Sequence, residues 1–397
     1  MSKIKLGPWP AGLDNVSDDT RRIDQETRTV DSLRDAIDVT IDRDGWADSR
    51  PGRTLLAAEL LHSLWTSADG TTYGGRGAAL IRYDYPSTVT ELLQLPTDAP
   101  LAFTDMPVGV MFTAGGYLGE IREGAPREAG VPDGSMFTAS AIANGGLAAG
   151  QYAVAIAYVD AEGREGGLSQ AQFVNVPAGG GLQLDAGGWP DDVDLARVYR
   201  TKQNGDSMYL CATVPYGMTS YLIGAGDVGR MPMTQHLRRM VGGTMIAYWS
   251  KGRVLTATRT VLRWSEALAH HLYSPRHNWL ALPATIRFIA PVEGGVWVGH
   301  SKGVAWLAGT RPNDWAPMRK SAAPPIAGTA VVVAANELPF DLDLGSNAAA
   351  VWLSEKGYCV GSADGRLIEV QAKRVRVAPS ARACTLVQSN RLTAFTQ

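Results

Sequence analysis

The feature that most constrains the fold is a short hairpin pattern that recurs about every fifty residues. The segment 296–307 consists of two apolar runs on either side of Lys302-Gly303, and similar segments turn at Lys251-Gly252 and Lys356-Gly357. These turns are 51 and 54 residues apart. Repeated β-units of about this length are typical of β-propeller blades. The pattern therefore predicts an all-β repeat fold.

The composition agrees with short strands and tight turns. The 397 residues include 44 glycines and 22 prolines, which favours turns over long helices. The net charge of −2 gives no case for binding nucleic acid or an anionic membrane through overall charge. Cys211, Cys359 and Cys384 are far apart and form no Cys-x-x-Cys motif, so we expect reduced, packed thiols.

No stretch predicts export or a membrane anchor. Residues 1–9 lack the apolar core of a signal peptide. No apolar run reaches the roughly 18 residues that span a bilayer. We therefore expect a protein that is made in a cytoplasm and stays soluble there.

Strand and turn signals divide the chain into four parts. Residues 1–30 are polar and predict an extended N-terminal arm that could reach a neighbouring subunit, with a frayed terminus as the alternative. Residues 31–130 and 238–397 carry the hairpins of the propeller. Together they predict five blades, or six if the Asp44-Gly45 hairpin pairs with C-terminal strands to close the ring. We expect positive φ at several turn glycines, namely Gly45, Gly70, Gly116, Gly252, Gly303 and Gly357.

In residues 131–237 the strand-like runs are spaced differently from those of the hairpin repeats, which predicts an inserted β-sandwich. Seven strand-like runs are separated by turn signals, at 136–142, 151–159, 171–176, 181–185, 194–200, 207–213 and 220–223. Seven short strands in about 100 residues are typical of an immunoglobulin-like or fibronectin-type-III-like sandwich. The Cys…Trp…Cys spacing of immunoglobulin domains is absent, which favours the fibronectin-like version.

The motifs that imitate catalytic or metal sites are incomplete. His271, His277 and Glu266 could hold a metal ion only if the loop 265–280, with an expected short helix at 266–272, folds back on itself. His270 would point in a different direction from His271. Ser169 follows Gly167-Leu168, but alanine replaces the second glycine of a nucleophile elbow. We therefore expect no catalytic, cofactor-binding or metal-binding residues.

Two other patterns predict structural roles. Residues 67–73 (Ser-Ala-Asp-Gly-Thr-Thr-Tyr), partly repeated at 362–365, resemble the Asp-box turn of sialidase-type propellers, which is a structural hairpin. Asp and Glu do not cluster as the carboxylate pair of a glycosidase would. Four tryptophans recur at matching blade positions, which favours packing between blades over sugar-binding platforms: Trp249, Trp297, Trp306 and Trp352.

Three groups of motifs, in this order along the chain, resemble phage virion proteins. The first resembles the start of tail nozzle, or tail hub, proteins of short-tailed bacteriophages and comprises residues 7–15, 33–45 and 50–52. The second resembles the fibronectin-like insertion of phage virion proteins and comprises residues 158–169 and 198–201. The third resembles the later blades of nozzle proteins and comprises residues 264–278, 291–299 and 303–309.

This resemblance implies a virion structural protein that is not an enzyme. Its copies would form a ring, most simply a homohexamer, in the tail below the head-to-tail adaptor and portal proteins. The ring would conduct double-stranded DNA during ejection and would meet tail fibre or spike proteins. The bore of one propeller is too narrow for a duplex, so the passage would lie between subunits, with a neutral or acidic wall. The alternatives are a carbohydrate-binding or depolymerase propeller that acts on host surface polysaccharide, and a host scaffold propeller.

Overall fold

Five four-stranded antiparallel sheets, named blades A to E, follow one another along the chain, and each is hydrogen-bonded in chain order. Blade A contains His62–Thr66, Thr72–Arg76, Ala79–Asp84 and Thr88–Gln94. Blade B contains Leu101–Met106, Gly109–Ala114, Tyr117–Arg122 and Ala125–Glu128. Blade C contains Met245–Trp249, Arg253–Thr258, Val261–Trp264 and Trp279–Ala281. Blade D contains Ile286–Val292, Gly295–His300, Gly303–Ala308 and Pro317–Lys320. Blade E contains Val331–Ala334, Ala348–Ser354, Gly357–Gly361 and Leu367–Glu369.

These bounds come from a computed structural model of the chain. It describes residues 7–24, 26, 29–36, 39–41, 44–49, 59–135, 137–320, 322–338, 348–380, 383–388 and 391–396. Three short 3-10 helices interrupt the strands, at Asp19–Arg22, Pro312–Asp314 and Ala335–Glu337. The predicted motif at 50–52 lies outside the described residues. The fold is an all-β propeller with an inserted sandwich, as the sequence predicts.

Alternating side chains on each strand connect a blade to both of its neighbours. On the second strand of blade D, Val296 and Val298 pack toward blade C, while Trp297 packs toward blade E. Trp297 Nε1 donates a hydrogen bond to Ser362 O of blade E at 2.9 Å. Trp249 Nε1 of blade C donates in the same way to Val292 O of blade D at 2.8 Å. All four tryptophans predicted to pack between blades are buried, which confirms the packing. Their predicted matching positions are wrong, because Trp297 and Trp352 are on second strands but Trp249 is on a first and Trp306 on a third strand.

The three Lys-Gly hairpins do not occupy equivalent places, and the assumption that they do is wrong. The turns at Lys302 and Lys356 join the second and third strands of their blades. The turn at Lys251 joins the first and second strands of blade C instead. Every tight turn in a four-stranded sheet favours the same residue types, so turn chemistry identifies turns but not their position within the blade. The spacing of 51 residues therefore joins two turns that are not equivalent. The six turn glycines all have positive φ, as predicted.

The insertion is a two-sheet antiparallel sandwich. One sheet contains Phe137–Leu147, Gly180–Ala186 and Ser220–Ile223. The other contains, in spatial order, Gln172–Val176, Gly150–Val159, Leu195–Thr201 and Met208–Pro215. All seven predicted runs coincide with these strands, apart from Met136, which lies outside the described residues. Apolar side chains from both sheets form the core, including Tyr152, Ile156, Leu182 and Val198. Cys211, Cys359 and Cys384 are free thiols. Cys359 is buried and Cys211 is half-buried, but Cys384 is exposed, so the expectation of a packed thiol is wrong for Cys384.

Four strand pairs complete the fold. They are Gly12–Leu13 with Ser32–Leu33, Val39–Ile41 with Ala47–Ser49, Arg238–Arg239 with Leu272–Tyr273, and Ala383–Gln388 with Arg391–Thr396. The early hairpin and the C-terminal hairpin form separate sheets within the described residues, without the mutual pairing that would make a sixth blade. Asn15 exchanges two hydrogen bonds with Arg376, so the described part of the arm lies on its own chain.

Candidate functional site

The residues that imitate a metal site do not come together. His277 is exposed, Glu266 accepts a hydrogen bond from Asn278 at 2.7 Å, and His271 Nε2 lies 3.2 Å from Glu165 O. In the described part of the chain, no three His, Cys, Asp or Glu residues form a group that could hold a metal ion. The expected helix at 266–272 is wrong, because Leu268 has φ +60° and Glu266 bridges to Ala269 in a tight turn.

Ser169 is engaged in backbone hydrogen bonds rather than poised as a nucleophile. Its Oγ accepts a hydrogen bond from Ile156 N at 3.0 Å and donates one to Gln170 O at 3.2 Å. No histidine takes part in either contact. The hydroxyl therefore fixes the loop that follows the second sandwich strand.

The two Asp-box segments are turns of the same design. Ser67 N donates to Thr71 O at 2.9 Å, and Ser362 N donates to Arg366 O at the same distance. In each turn the serine hydroxyl donates to the carboxylate two residues later, Asp69 or Asp364, and this bond lowers the pKa of that carboxyl. The contacts of both boxes are therefore those of closed hairpin turns.

The densest polar cluster lies where the sandwich meets blade B, and we call it the junction network. At its centre is Glu120, which is 5% exposed. Its carboxylate accepts hydrogen bonds from Arg122 Nε at 3.0 Å, Arg127 Nε at 2.8 Å and Arg164 Nη2 at 3.2 Å. Arg122 and Arg127 also donate to Glu162 of the sandwich. The hydrogen bond from Arg127 lowers the pKa of Glu162. The cluster therefore combines charged side chains of blade B with charged side chains of the sandwich.

The sandwich half of the junction network is the loop 160–167. The Asp160 carboxylate accepts from the backbone N of Glu162 and Arg164, and it also accepts from Arg164 Nε at 2.6 Å. At Gly166 an added Cβ would lie 2.3 Å from Pro132 O, in the segment that enters the insertion. At Gly167 it would lie 2.6 Å from Leu237 O, in the segment that leaves it. Both glycines therefore allow the loop to pack directly on the two connections to the propeller.

Glu165 joins the two domains a second time. Its carboxylate accepts a hydrogen bond from Tyr199 OH at 2.7 Å and pairs with Arg197, both within the sandwich. Its backbone oxygen contacts His271 of blade C at 3.2 Å. Burial, together with the bond to Glu165, raises the pKa of Tyr199, and burial lowers the pKa of His271. At neutral pH the Tyr199 hydroxyl and the His271 imidazole are therefore both uncharged.

A cavity of about 140 Å³ lies beside the junction network, between blade B and the loop of blade C. Glu120, Arg122 and Arg164 form its charged wall, and Met106 and Met111 belong to its apolar wall. His270 Nε2 is a buried atom on this cavity without a protein partner among the described residues. The guanidinium groups are already bound to carboxylates, and no described Ser or Cys lines the space. The guanidinium groups on this wall therefore link blade B to the sandwich.

The junction network is a site that sequence reasoning missed. Its members Glu120, Arg122 and Arg127 are about forty residues from Glu162 and Arg164 along the chain. The available signal was the segment 158–169, in which four acidic or basic residues follow one another closely before two glycines. Without knowledge of its contact with blade B, that segment predicts only a turn of the sandwich.

Comparison with known proteins found similarity only to solved structures. No protein-family model and no curated protein matches the sequence. BBS1N in complex with ARL6DN is 12% identical over 85% of this chain and 90% of that chain, with a TM-score of 0.34. The extracellular domain of a one component system from B. thetaiotaomicron is 10% identical over 96% of this chain and 47% of that chain, with a TM-score of 0.33. Apo AztD from Citrobacter koseri is 11% identical over 79% of this chain and 88% of that chain, with a TM-score of 0.26. Similarities at this level support no inference about function.

Within the described ranges, no helix has both the length and the apolar character that a membrane crossing requires.

Proposed function

We propose that this protein is a structural subunit of a bacteriophage tail. In this proposal it is the nozzle, whose copies form a ring below the head-to-tail adaptor through which double-stranded DNA is ejected. It is not an enzyme, and its place is the virion tail. The proposal rests on the order of motifs along the chain, with nozzle-like motifs at 7–15 and 264–278 and a motif of the fibronectin-like phage insertion between them at 158–169.

The observation that carries the proposal is the way the insertion is attached. The segment 158–169, which resembles the fibronectin-like insertion of phage virion proteins, contacts the propeller through Arg164 to Glu120 and through the Glu165 oxygen to His271. A buried ionic cluster and two tightly packed connections hold the domains in one arrangement. A fixed two-domain subunit suits a ring that must keep its shape while DNA passes.

The contacts of Ser169 and of the two Asp-box turns favour this function over a depolymerase. Ser169, Asp69 and Asp364 are each engaged in the hydrogen bonds of a loop or a turn. The four tryptophans predicted to pack between blades are buried, so they do not offer flat faces for stacking sugars: Trp249, Trp297, Trp306 and Trp352. Neither the two Asp-box turns nor the tryptophans provide the pair of carboxylates that glycoside hydrolysis uses.

Ring formation with the adaptor tests the proposed function. The purified full-length protein is mixed with the adaptor protein of a short-tailed phage from the same source, and the mass of the complexes is measured by mass photometry. We expect complexes with a fixed multiple of this chain, most simply six. A single copy per adaptor ring, or release of sugars from host surface polysaccharide by the protein alone, would contradict the proposal.

A further inference from the structure

The charges of this protein are divided unequally between its two domains. Residues 131–237 contain ten Asp and Glu but only five Lys and Arg, which gives the insertion a net charge of −5. Since the whole chain has a net charge of −2, the remaining residues carry +3. The near-neutral total therefore conceals an acidic sandwich on a basic propeller.

The excess positive charge of the propeller is concentrated at one end of blades C to E. This is the end at which the second strand of each blade turns into the third. We define the basic end face as the six cations at this end: Arg259, Arg287, Lys302, Arg319, Lys320 and Lys356. Among the described residues, none of the six forms an ion pair. Glu355 and Glu369 lie on these blades at this end, and Asp14 of the N-terminal arm lies beside Arg374 next to blade E.

The excess negative charge of the sandwich is also unpaired. Asp160, Glu162 and Glu165 are neutralised by arginines of the junction. Six other carboxylates have no ion pair within the described part of the chain: Asp185, Asp191, Asp192, Asp194, Asp206 and Asp227. Three of them fall within the loop 191–194, where all three are exposed. The cations left on the sandwich are few, since Arg197 and Arg230 both face Glu165.

Exposed apolar groups accompany both charged surfaces. Beside the acidic loop, Tyr216 packs on Trp189 with ring centroids 5.4 Å apart, and the Tyr216 ring remains 53% exposed. On the basic end face, Met318 precedes Arg319 and is 50% exposed. Protein interfaces combine such aromatic and methionine contacts with a charged rim. A surface used only to attract mobile ions would not require them.

The two surfaces are different parts of the molecule. The sandwich contacts blade B at Arg122, where the third strand turns into the fourth, and contacts blade C through the loop that carries His271. Its acidic loop lies beside blade B, with Asp192 near Tyr117, whereas the basic end face belongs to blades C to E. A contact between two unlike surfaces of one chain repeats head to tail and generates a ring when the rotation closes.

We propose that the acidic sandwich of one copy docks on the basic end face of the next copy. This inference rests on the ring assembly of the proposed function and identifies the two surfaces that make the ring. Complementary potentials would orient the copies as they meet, and the apolar groups would form the dry centre of the contact. Free duplex DNA is the competing occupant of the basic end face.

The test is zero-length carbodiimide crosslinking of the full-length protein, because this reagent joins a carboxylate directly to a lysine amine in contact with it. Equal amounts of ¹⁴N-labelled and ¹⁵N-labelled protein are mixed at about 0.02 M salt, where surface charges act over roughly 20 Å. We expect mixed-isotope links from Asp191, Asp192 or Asp194 to Lys302 or Lys320. The yield should fall at least fivefold at about 0.5 M salt, since screening weakens such contacts.

Charge reversal supplies the matched comparison. Arg259→Glu with Arg319→Glu leaves both reporter lysines in place and should remove most of the mixed-isotope links. Lys251→Glu with Arg276→Glu makes the same change in charge at the other end of blade C and should leave the links intact. Thermal unfolding followed by circular dichroism verifies that both variants fold.

Three results would overturn the docking. Mixed-isotope links that join other surfaces, in a protein that still forms rings with the adaptor, would reject this contact but leave the proposed function in place. Equal loss of links in both reversal variants would show that the contact depends on total charge only. Retention of duplex DNA by the wild type but not by Arg259→Glu with Arg319→Glu, without links between copies, would assign the face to nucleic acid.

Discussion

Replacing Glu120 by glutamine should separate the sandwich from the propeller. Glu120→Gln preserves the shape of the side chain but removes the negative charge that three arginines share. Losing one partner of a fully buried ion pair costs about 3–5 kcal/mol. The arginine side chains are 31%, 34% and 18% exposed, so water compensates part of this loss. We therefore expect a cost of about 2–3 kcal/mol.

Differential scanning calorimetry and hydrogen exchange measure this effect. We expect the variant to unfold in two resolved steps, with faster amide exchange at 118–128 and 160–167 than in the wild type. Glu91→Gln is the matched control, because the pair of Glu91 with Arg76 is 48% and 36% exposed and should contribute less than about 1 kcal/mol. Equal effects of the two substitutions, or unchanged exchange at 160–167, would refute the role of the junction network.

Three further predictions concern a turn, a histidine and the insertion. Gly303→Val should lower the free energy of unfolding in urea by about 1–3 kcal/mol, because the φ of +138° strains a valine although the nearest atom to an added Cβ is 3.6 Å away. Gly226→Val, at an open site with an ordinary φ, should lower it by less than about 0.5 kcal/mol. Burial lowers the pKa of His271, so the unfolded chain binds protons more readily below about pH 6.5, and stability is lost as the pH falls. His271→Gln should therefore reduce the loss of Tm between pH 7 and pH 5, whereas the exposed His277→Gln should not. Deleting 133–235 with a short Gly/Ser linker should leave a soluble all-β protein that unfolds cooperatively, and loss of cooperative unfolding would show that the insertion belongs to the propeller core.

Local patterns in the sequence were enough to predict the individual strands and turns. The seven sandwich strands follow from apolar runs between Gly and Asn turns, and the interblade tryptophans follow from their recurrence. Positive φ at Gly45 and Gly357 follows from turn chemistry that needs no distant partner. These features depend on residues within a few positions of one another.

Features that depend on distant partners could not be predicted in the same way. Glu120 becomes the centre of a network only when Arg164 comes close to it, 44 residues later in the chain. The loop at Leu268 looks helical by residue type, but its conformation is fixed by pairing between Leu272–Tyr273 and Arg238–Arg239. Tertiary contacts therefore decide both the site and the one secondary-structure element that was predicted wrongly.

A reconstruction by electron cryo-microscopy of the assembled tail tests the proposed function most directly. We expect copies of this chain in a closed ring, most simply six, with the DNA passage between subunits and each sandwich against blades C to E of its neighbour. The wall of the passage should be neutral or acidic, because a basic wall would hold DNA through counterion release. Single copies on the outer surface of the particle, or a passage lined with unpaired arginines, would contradict the nozzle assignment.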